Sequence, residues 1–340
     1  MGRQAARRRT GRTAVTMKIL VTGASGMLGA ATARALADRG DEVTVLQRRA
    51  AGLGVREVLG DITDPDVVRR AVRDQQAVVH LAAKVNVTGA EADYRRVNVG
   101  GTRTLVQACR AAGVQRLVNV SSPSVAHSGS SLVGAGAGPA DPQRARGPYA
   151  RSKAEAELLA LAADSQSLAV LAIRPHIVWG PGDTQLVGRI VARARQGRLP
   201  LFGQATALVD TTYVINAVDV LVAAVDHCTP EAVHGEALVV SNGEPRPIGE
   251  FLRSIARAGG APLPRRHVPV AVARLAGAAA EALWSLRPGD DADPPLTRFL
   301  VEQLSTAHWF DQRRTREALG WRPAVSLDEG FAELARSWER

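Results

Sequence analysis

Three features of the 340-residue sequence predict an α/β fold built on a doubly wound parallel sheet. Short runs of apolar and β-branched residues alternate with alanine-rich stretches through the first half of the chain. These runs are apolar along their length, which is typical of parallel strands covered by helices on both faces. The third feature is a glycine-rich turn between the first run and the helical stretch after it.

The predicted strands and helices follow one another in the order that βαβ crossovers require. We predict strands at Lys18–Thr22, Glu42–Leu46, Ala77–Ala82, Arg116–Ser121 and Ala169–Arg174. We predict helices near Met27–Arg39, Asp66–Arg73, Tyr94–Ala112 and Tyr149–Ala163.

The net charge of +10 does not by itself indicate a nucleic-acid-binding protein. Half of it lies in residues 1–16, a basic leader that we expect to be disordered and that lacks the apolar stretch of a secretory signal. The chain has two cysteines, Cys109 and Cys228, and no uncharged apolar run long enough to span a membrane. We therefore expect a cytoplasmic protein with no transmembrane span, no nucleic-acid partner and no metal site.

A glycine triplet in the segment Thr22–Gly29 predicts a dinucleotide-binding turn. Gly23 permits the tight turn after the strand, Gly26 lets the backbone approach a pyrophosphate, and Gly29 allows close packing of helix on strand. The amino terminus of the helix then faces the phosphates. Glycine-rich turns are common in loops, but this one follows the first strand of a βαβ series. The contacts predicted from this segment are Thr22, Gly23, Ser25, Gly26, Met27, Leu28 and Gly29.

The end of the second strand bears on which dinucleotide is bound. NAD sites usually place an Asp or Glu there to accept hydrogen bonds from the ribose. Here the residues are Gln47, Arg48 and Arg49, so two guanidinium groups are available for a 2′-phosphate and no carboxylate repels it. The sequence therefore favours NADPH, with NAD(H) as the alternative if both arginines are simply solvated. Asp61 and Ile62 follow the next strand, where Asp61 either contacts the adenine or caps a turn.

Tyr149 and Lys153 are spaced i, i+4 on a predicted helix and therefore share one face. An ammonium group beside the phenol favours the phenolate, so we expect a lowered pKa for Tyr149 and proton exchange with a substrate oxygen. Ser121 and Ser122 end a predicted strand, where parallel sheets place ligand-contacting groups. One of these hydroxyls either hydrogen-bonds a substrate carbonyl or belongs to a turn.

Several motifs resemble those of the extended short-chain dehydrogenases/reductases. They are the glycine loop, His80–Ala83, Ser121–Ser122, the Tyr149 and Lys153 pair and Arg174–Pro175. Further segments resemble the 3β-hydroxysteroid dehydrogenase branch of that family, and within it the bacterial 2-alkyl-3-oxoalkanoate reductases of olefin and β-lactone biosynthesis. These segments are Ser122–His127, Trp179–Asp183, Pro295–Leu304 and Ala307–Phe310. No general requirement of an α/β fold dictates them, and the likeness runs from Met17 to the C-terminus.

The resemblance implies a Rossmann-type domain that binds NAD(P) and a carbonyl reduction by hydride transfer. It implies that Tyr149 is the general acid, that Lys153 tunes its pKa and that Ser122 polarises the carbonyl. His176 is a departure, since arginine is expected at this position in the related reductases. The further cofactor contacts predicted from these motifs are Leu81, Ala82, Ala83, Tyr149, Lys153, Pro175, His176 and Val178.

The same alternation predicts the domain organisation. Residues 17–180 form the NAD(P)-binding Rossmann domain, with a returning segment at about residues 211–242 that contains a strand at Ala237–Ser241. Beyond about Gly180 the alternation ends, and residues 181–210 and 243–340 form a smaller, mostly helical substrate-binding region. Residues 128–147, rich in glycine, serine and proline, are predicted to be a surface loop over the edge of the active site.

Few residues point to the substrate. Lys84 is one of only three lysines and follows a predicted strand, so it either pairs with an anionic substrate group or is a solvated loop residue. Ser124 and His176 are further candidate substrate contacts, and Asn86 and His127 also lie at the predicted sheet edge.

Three hypotheses for the function follow. The first is an NADPH-dependent reductase of 2-alkyl-3-oxoalkanoic acids, working beside a thiolase and a β-lactone synthetase, with a homodimer as one assembly open to it. It calls for an extended pocket, and the segment Val270–Leu286 either lines that pocket or packs as an ordinary amphipathic helix. The second is a 3β-hydroxysteroid dehydrogenase, with a nucleotide-sugar epimerase or dehydratase as a related variant. The third is a non-catalytic protein that senses NADP(H), against which Tyr149, Lys153 and Ser122 argue together.

Overall fold

The computed structural model describes residues 16–85, 89–127, 129–285 and 296–339, so most of the basic leader and Asn86 lie outside the described residues. The strands are β1 Lys18–Thr22, β2 Glu42–Gln47, β3 Arg56–Leu59, β4 Ala77–His80, β5 Arg116–Val120, β6 Leu132–Ala135, β7 Ala169–Pro175, β8 Val178–Trp179, β9 Leu201–Phe202, β10 Leu208–Val209, β11 Thr212–Tyr213, β12 Ala237–Val240, β13 Arg246–Pro247, β14 His267–Val268 and β15 His308–Phe310.

The helices alternate with the strands in the first half of the chain and predominate in the second. They are α1 Met27–Arg39, α2 Pro65–Val72, α3 Glu91–Tyr94, α4 Gly101–Ala112, α5 Gly147–Leu161, α6 Val187–Arg195, α7 Val214–His227, α8 Ile248–Ala258, α9 Val270–Ser285, α10 Arg298–Gln303, α11 Arg313–Leu319 and α12 Leu327–Trp338. The stretch predicted as one helix near Tyr94–Ala112 contains a π-helical segment, Arg95–Gly100, that joins α3 to α4.

Seven strands form the central sheet in the order β12-β7-β5-β4-β1-β2-β3, and every pairing is parallel. The strand order reverses between β1 and β4. Such a reversal opens a crevice at the carboxyl ends of the two strands, where ligands of doubly wound sheets bind. The predicted fold class is confirmed, since this is a Rossmann-like parallel sheet flanked by helices.

Both faces of the sheet are buried, which explains why its strands are apolar along their length. On β1, Ile19 and Val21 pack in the cluster that includes residues of α1 and α7, whereas Leu20 packs with residues of α2 and α4. Full burial of one such side chain contributes about 1.5–3 kcal/mol. Leu319 and Trp321 join the cluster of Ile19, so a segment near the C-terminus also packs on this sheet. The predicted boundaries between the two regions stay a prediction.

The second region is held by an aromatic cluster. Trp179 is fully buried, stacks on Phe331 with ring centroids 4.5 Å apart, and donates a hydrogen bond from Nε1 to Oγ1 of Thr211 over 2.9 Å. Asp183 accepts hydrogen bonds from the backbone N–H groups that begin the segment leading into α6. In the Trp179–Asp183 motif, Trp179 therefore packs in the core of the second region, and Asp183 fixes the backbone that leads into α6.

Part of the segment 128–147 differs from the predicted surface loop. β6 pairs in parallel with β15 and so becomes the edge of a four-stranded sheet in the order β13-β10-β15-β6. Its partner strand lies far along the chain, so no local pattern in this glycine-rich segment indicates the pairing. The prediction of irregular structure is wrong for Leu132–Ala135.

The structure describes the two cysteines and the length and apolarity of the helices. Cys109 and Cys228 are both free thiols and both are buried. Within the described parts of the chain, no helix is long and apolar enough to pass through a membrane.

A buried ion pair joins the central sheet to α5. The guanidinium of Arg174, at the end of β7, donates from Nε to Oε2 of Glu157 on α5 over 2.8 Å, and both side chains are 1% exposed. The same guanidinium donates to the backbone carbonyls of Ala137 and Gly138. One side chain therefore fixes the sheet, the helix and the segment between β6 and α5 relative to each other.

Replacing Glu157 by glutamine tests this junction. Glu157→Gln is expected to lower the free energy of unfolding by about 3–5 kcal/mol, because the Arg174 guanidinium is left buried without a counter-charge. Equilibrium denaturation by urea measures the change. The matched control is Glu91→Gln, which breaks the exposed pair with Arg151 at 3.1 Å and is expected to leave stability nearly unchanged. Equal stabilities for the two variants would contradict the assignment.

Candidate active site

A cleft of about 490 Å³ lies at the carboxyl ends of β1, β2 and β4. Many of the residues predicted to contact the cofactor line it. They are Gly23, Ser25, Gly26, Gln47, Arg48, Asp61, Ile62, Leu81, Ala82 and Ala83.

The glycine loop after β1 has the geometry that a dinucleotide requires. Gly23 has a φ of +78°, and a Cβ there would lie 2.7 Å from the backbone nitrogen of Ala82. A Cβ at Gly29 would lie 2.4 Å from the carbonyl oxygen of Gly23, so this glycine serves packing. Gly26 precedes α1, and no side chain caps the helix there. The first backbone N–H groups of α1 therefore suit the pyrophosphate.

Thr22, which precedes this loop, holds it in place through hydrogen bonds to the end of β4. Its Oγ1 is 2.8 Å from Nδ1 of His80 and accepts hydrogen bonds from the backbone N–H groups of Leu81 and Ala82 at 3.2 and 3.1 Å. Thr22 thus ties the end of β1 to the end of β4. It does not itself line the cleft, and neither do Met27, Leu28, Gly29 or Arg49.

The cleft contains two arginines close to the carboxylates of Asp61 and Asp93. Arg48 and Arg96 both line it, and Arg96 comes from the π-helical segment that the sequence analysis missed. Partial burial raises the pKa of Asp61, but hydrogen bonds from Thr63 and the charges of Arg48 and Arg96 together lower it. Gln47 is buried, and among the described residues its Oε1 has no hydrogen-bond partner. The free oxygen suits a ribose hydroxyl, and the two arginines suit a phosphate.

A second cavity, of about 230 Å³, adjoins the cleft at Val85, which lines both. Four of the predicted catalytic and substrate residues line this pocket, namely Ser122, Ser124, Tyr149 and His176. The Oγ atom of Ser122 accepts hydrogen bonds from Ser124, at 3.2 Å from its backbone nitrogen and 2.9 Å from its hydroxyl. Tyr149 lies close enough to Ser122 for the serine side chain to act on the pKa of the phenol, which it lowers.

The expected lowering of the Tyr149 pKa is not found. Burial raises the pKa of Tyr149 to about 12, and the side chain of Ser122 only partly offsets this rise. Lys153 is turned to a different partner, since its Nζ donates to the carbonyl oxygen of Val120 over 2.6 Å. Burial lowers the pKa of Lys153 to about 8, against the opposing charge of Glu157. The prediction was wrong because spacing places two side chains on one face without describing their burial.

Residues 19–240 match the profile of the NAD dependent epimerase/dehydratase family. The chain belongs to this family. A 2-alkyl-3-oxoalkanoate reductase of Stenotrophomonas maltophilia is 43% identical over 94% of this chain and 99% of that protein. A protein of the same name from Shewanella oneidensis is 36% identical over 98% and 90%. A 3 beta-hydroxysteroid dehydrogenase/Delta 5-->4-isomerase of Mycobacterium tuberculosis is 32% identical over 93% and 89%.

Solved structures of the family share the fold. MoeE5 in complex with UDP-glucose and NAD superposes with a TM-score of 0.72 and 25% identity, over 95% of this chain and 99% of that one. The motif resemblance to extended short-chain dehydrogenases/reductases is confirmed, and the protein is an NAD(P)-dependent oxidoreductase of this type.

Three of the four segments that carry the closer resemblance converge on the pocket of this oxidoreductase. The first, Ser122–His127, contributes three further lining residues besides Ser122. The segments on α10 and β15, far along the chain, contribute four more. These residues are Pro123, Ser124, His127, Phe299, Gln303, His308 and Phe310. Only the fold brings them together, because β15 pairs with β6 beside the segment that follows β5.

Asn98 is a supporting residue that the sequence analysis missed. Its Oδ1 accepts from the backbone N–H of Lys84 over 2.7 Å, and its Nδ2 donates to Oγ of Ser152 on α5 over 2.9 Å. It therefore joins the segment after β4 to the helix that carries Tyr149. The available signal is an asparagine inside a predicted helix, where it is intrinsically unfavourable.

Lys84 does not meet Tyr149 in the pocket. Its Nζ lies 3.8 Å from a carboxylate oxygen of Asp93 and 5.4 Å from the ring centroid of Tyr94, and the residue lines the dinucleotide cleft. Lys84 therefore lies in the cleft and not in the pocket that Tyr149 lines, and its role in binding the substrate stays a prediction.

The backbone is strained next to His176. Ile177 lines the pocket with a φ of +42°, a conformation that costs a β-branched residue about 1–3 kcal/mol. Its neighbours hold it there, because His176 donates its N–H to Val240 and Thr212 donates its N–H to the carbonyl of Ile177. Pro175 and Val178 flank this turn and line neither cavity.

The helix α9 packs rather than lines the pocket. Among the described residues, none of α9 belongs to the lining. Ala273 is buried against Phe202 and Val301, and a Cβ at Gly277 would lie 3.0 Å from the backbone nitrogen of Arg298. Of the two interpretations of Val270–Leu286, these contacts favour a packing helix.

The glycine loop leads to a contrast between two variants. Gly26→Ala is expected to fold with unchanged stability, since the nearest protein atom to its Cβ is 3.6 Å away, but to bind NAD(P)H at least about tenfold more weakly. Gly29→Ala is expected to lose stability instead, because its Cβ meets backbone at 2.4 Å. Thermal unfolding and titration of NAD(P)H fluorescence separate the two. Normal cofactor affinity in Gly26→Ala would refute the assigned phosphate site.

Proposed function

We propose that this oxidoreductase uses NADPH to reduce 2-alkyl-3-oxoalkanoic acids to 2-alkyl-3-hydroxyalkanoic acids. The observation that carries the proposal is that Ser122 and Tyr149 together line the pocket next to the dinucleotide cleft. The substrate class is supported by the 43% identity, over nearly the whole chain, to a relative named for that reaction. In this proposal a thiolase reaction supplies the acid and a β-lactone synthetase consumes the product.

The residues of the pocket divide the chemistry between them. When bound, NADPH supplies the hydride that reduces the keto carbon. Ser122 holds the carbonyl oxygen by a hydrogen bond, and Tyr149 donates the proton to it. A Tyr149 pKa of about 12 keeps the phenol protonated at neutral pH, as a general acid for reduction must be. Lys153 donates a hydrogen bond to the carbonyl of Val120, and the positive charge of its ammonium group stabilises the tyrosinate that is left after the proton transfer.

Arg48 and Arg96 support the preference for NADPH. Both line the cleft near Asp61, where a 2′-phosphate finds two cationic partners. The free Oε1 of Gln47 would accept a hydrogen bond from a ribose hydroxyl of NAD(H), so the preference for NADPH depends on the two arginines.

A 3β-hydroxysteroid dehydrogenase is the second candidate. It is favoured by the 32% identity to the Mycobacterium tuberculosis protein of that name. Three histidines and Arg146 lie in the otherwise largely apolar lining of the pocket, and these polar groups favour an acid with alkyl chains over an uncharged steroid.

The proposal is tested most directly in the oxidative direction, because β-keto acids decarboxylate in solution whereas the hydroxy acids are stable. The purified protein is given a synthetic 2-alkyl-3-hydroxyalkanoic acid with NADP⁺ or NAD⁺, beside a 3β-hydroxysteroid, and NADPH or NADH formation is followed by absorbance. We expect turnover of the acid with NADP⁺. Turnover of the steroid alone would replace the first candidate with the second.

The matched variant for this assay is Tyr149→Phe. It removes one hydroxyl and is expected to lower turnover by about 10²–10⁴-fold while NADPH binding persists. Unchanged turnover in Tyr149→Phe would rule out its role as the acid.

Cofactor preference is tested with the double variant Arg48→Ala, Arg96→Ala. The ratio of kcat/KM for NADPH to that for NADH is expected to fall by about 10–100-fold, the equivalent of about 1.5–3 kcal/mol of charge-assisted hydrogen bonding. Arg49→Ala is the control, since Arg49 is exposed and does not line the cleft. An unchanged ratio in the double variant would remove the basis for an NADPH preference.

A further inference from the structure

Three histidines from remote parts of the chain form a buried cluster beside Tyr149. His127 follows the turn after β5, His176 follows β7 and His308 lies on β15, and all three line the pocket. The Nε2 atoms of His127 and His308 are 3.1 Å apart. The rings of His176 and His308 meet edge to face with centroids 5.8 Å apart.

The neutral cluster leaves one ring nitrogen unsatisfied. Two Nε2 atoms at hydrogen-bond distance share a single proton, so one imidazole donates and the other accepts. The same Nε2 of His308 also lies 3.1 Å from Oγ1 of Thr306. Within the described chain, Nδ1 of His308 is buried without a hydrogen-bond partner. Either tautomer of His308 therefore leaves a buried donor or acceptor unused, which is costly in a closed site.

The surroundings keep the cluster uncharged while the pocket holds no anion. Burial lowers the pKa of His308 to about 3 and that of His176 to about 4, and burial also lowers the pKa of His127 against the opposing charge of Glu302. The carbonyl of Asp210 accepts from Nδ1 of His176 over 2.6 Å.

The other charged and titratable groups around the cluster supply no spare positive charge. Arg146, at the start of α5, is 2.8 Å from the Glu302 carboxylate on α10. The Asp210 carboxyl, whose pKa burial raises to about 6, accepts hydrogen bonds from Ser241 and from the backbone after it. Tyr149 lines the pocket as a neutral phenol. A carboxylate entering here therefore meets one arginine that already has a partner and three neutral imidazoles.

We propose that the pair of His127 and His308 binds the carboxylate of the substrate, and that one proton enters the pair as the acid binds. This inference rests on the proposed function, because it assigns the binding partner of the acid group. The carboxylate supplies the counter-charge that burial otherwise denies to an imidazolium. With the additional proton, both ring nitrogens of one histidine become donors, and the acid is held as an ion pair rather than as an isolated buried anion.

The sign of the pH dependence follows from this proton. The acid is ionised and the free cluster is neutral at neutral pH, so binding takes up a proton and strengthens as the pH falls. One proton corresponds to a Kd that rises about tenfold for each pH unit.

The test is calorimetric titration of the NADP⁺-loaded enzyme with the 2-alkyl-3-hydroxyalkanoic acid and with its methyl ester. Titrations between about pH 6 and about pH 8, in buffers of different ionisation enthalpy, give the number of protons taken up. We expect about one proton for the acid and none for the ester. The ester has no carboxylate, so any proton uptake measured with the ester comes from other groups, such as Asp210 or the cofactor phosphate.

Substitutions of His127 and His308 test whether these residues take up the proton when the acid binds. His308→Asn and His127→Asn are each expected to weaken acid binding at least tenfold at the lower pH and to abolish the proton uptake, with ester binding retained. His234→Asn is the control, because His234 pairs with Asp164 away from the pocket and should leave both quantities unchanged. The wild-type proton count needs no variant, so the proposal stays testable even where a substitution prevents folding.

The outcomes separate this inference from the proposed function. Turnover of the acid with pH-independent affinity, or with ester bound as tightly as acid, would overturn the histidine site and leave the reductase standing. Loss of acid binding in Arg146→Gln, without proton uptake in the wild type, would assign the carboxylate to Arg146 instead. Absence of both binding and turnover of the acid would overturn the function and the inference together.

Discussion

The buried pair of Arg174 and Glu157 is the interaction on which the geometry of the active site depends. Arg174 ends a central strand, and Glu157 lies on the helix that carries Tyr149 and Lys153. Because both charges are buried, each is tolerated only while the other stays in place. The sheet edge, this helix and the segment before it are therefore held in one arrangement, and a shift of any of them would expose an uncompensated charge.

Backbone groups complete the construction around that pair. Lys153 is held by the carbonyl of Val120, Asn98 by the backbone of Lys84, and the strained Ile177 by hydrogen bonds to its neighbours. Backbone atoms of a packed sheet move little, so side chains anchored to them keep their positions without a ligand. The hydroxyls of Ser122 and Tyr149 thus lie together before substrate arrives, which reduces the reorganisation that a proton transfer requires.

The two cavities treat negative charge differently. The dinucleotide cleft presents the permanent charges of Arg48 and Arg96, which suit phosphates at any physiological pH. The adjoining pocket presents imidazoles that burial keeps neutral, with Arg146 already paired to Glu302. Under the proposed function, the cofactor phosphate binds to arginines that are always charged. The substrate carboxylate instead binds to a histidine pair that becomes positively charged only when the carboxylate is present. Such an arrangement admits a carboxylate without holding an unpaired cation in an apolar site.

The sequence by itself determined the fold class, most of the central strands, the glycine loop and the spacing of Tyr149 and Lys153. These depend on local periodicity and on neighbours a few residues apart, which a linear chain displays directly. Only the tertiary structure decided that β6 pairs with β15, that His308 meets His127, and that Arg96 joins Arg48. It also decided that burial raises the pKa of Tyr149 and that Lys84 lines the dinucleotide cleft. Those outcomes depend on burial and on contacts between residues remote in the chain, and neither quantity is written in local sequence.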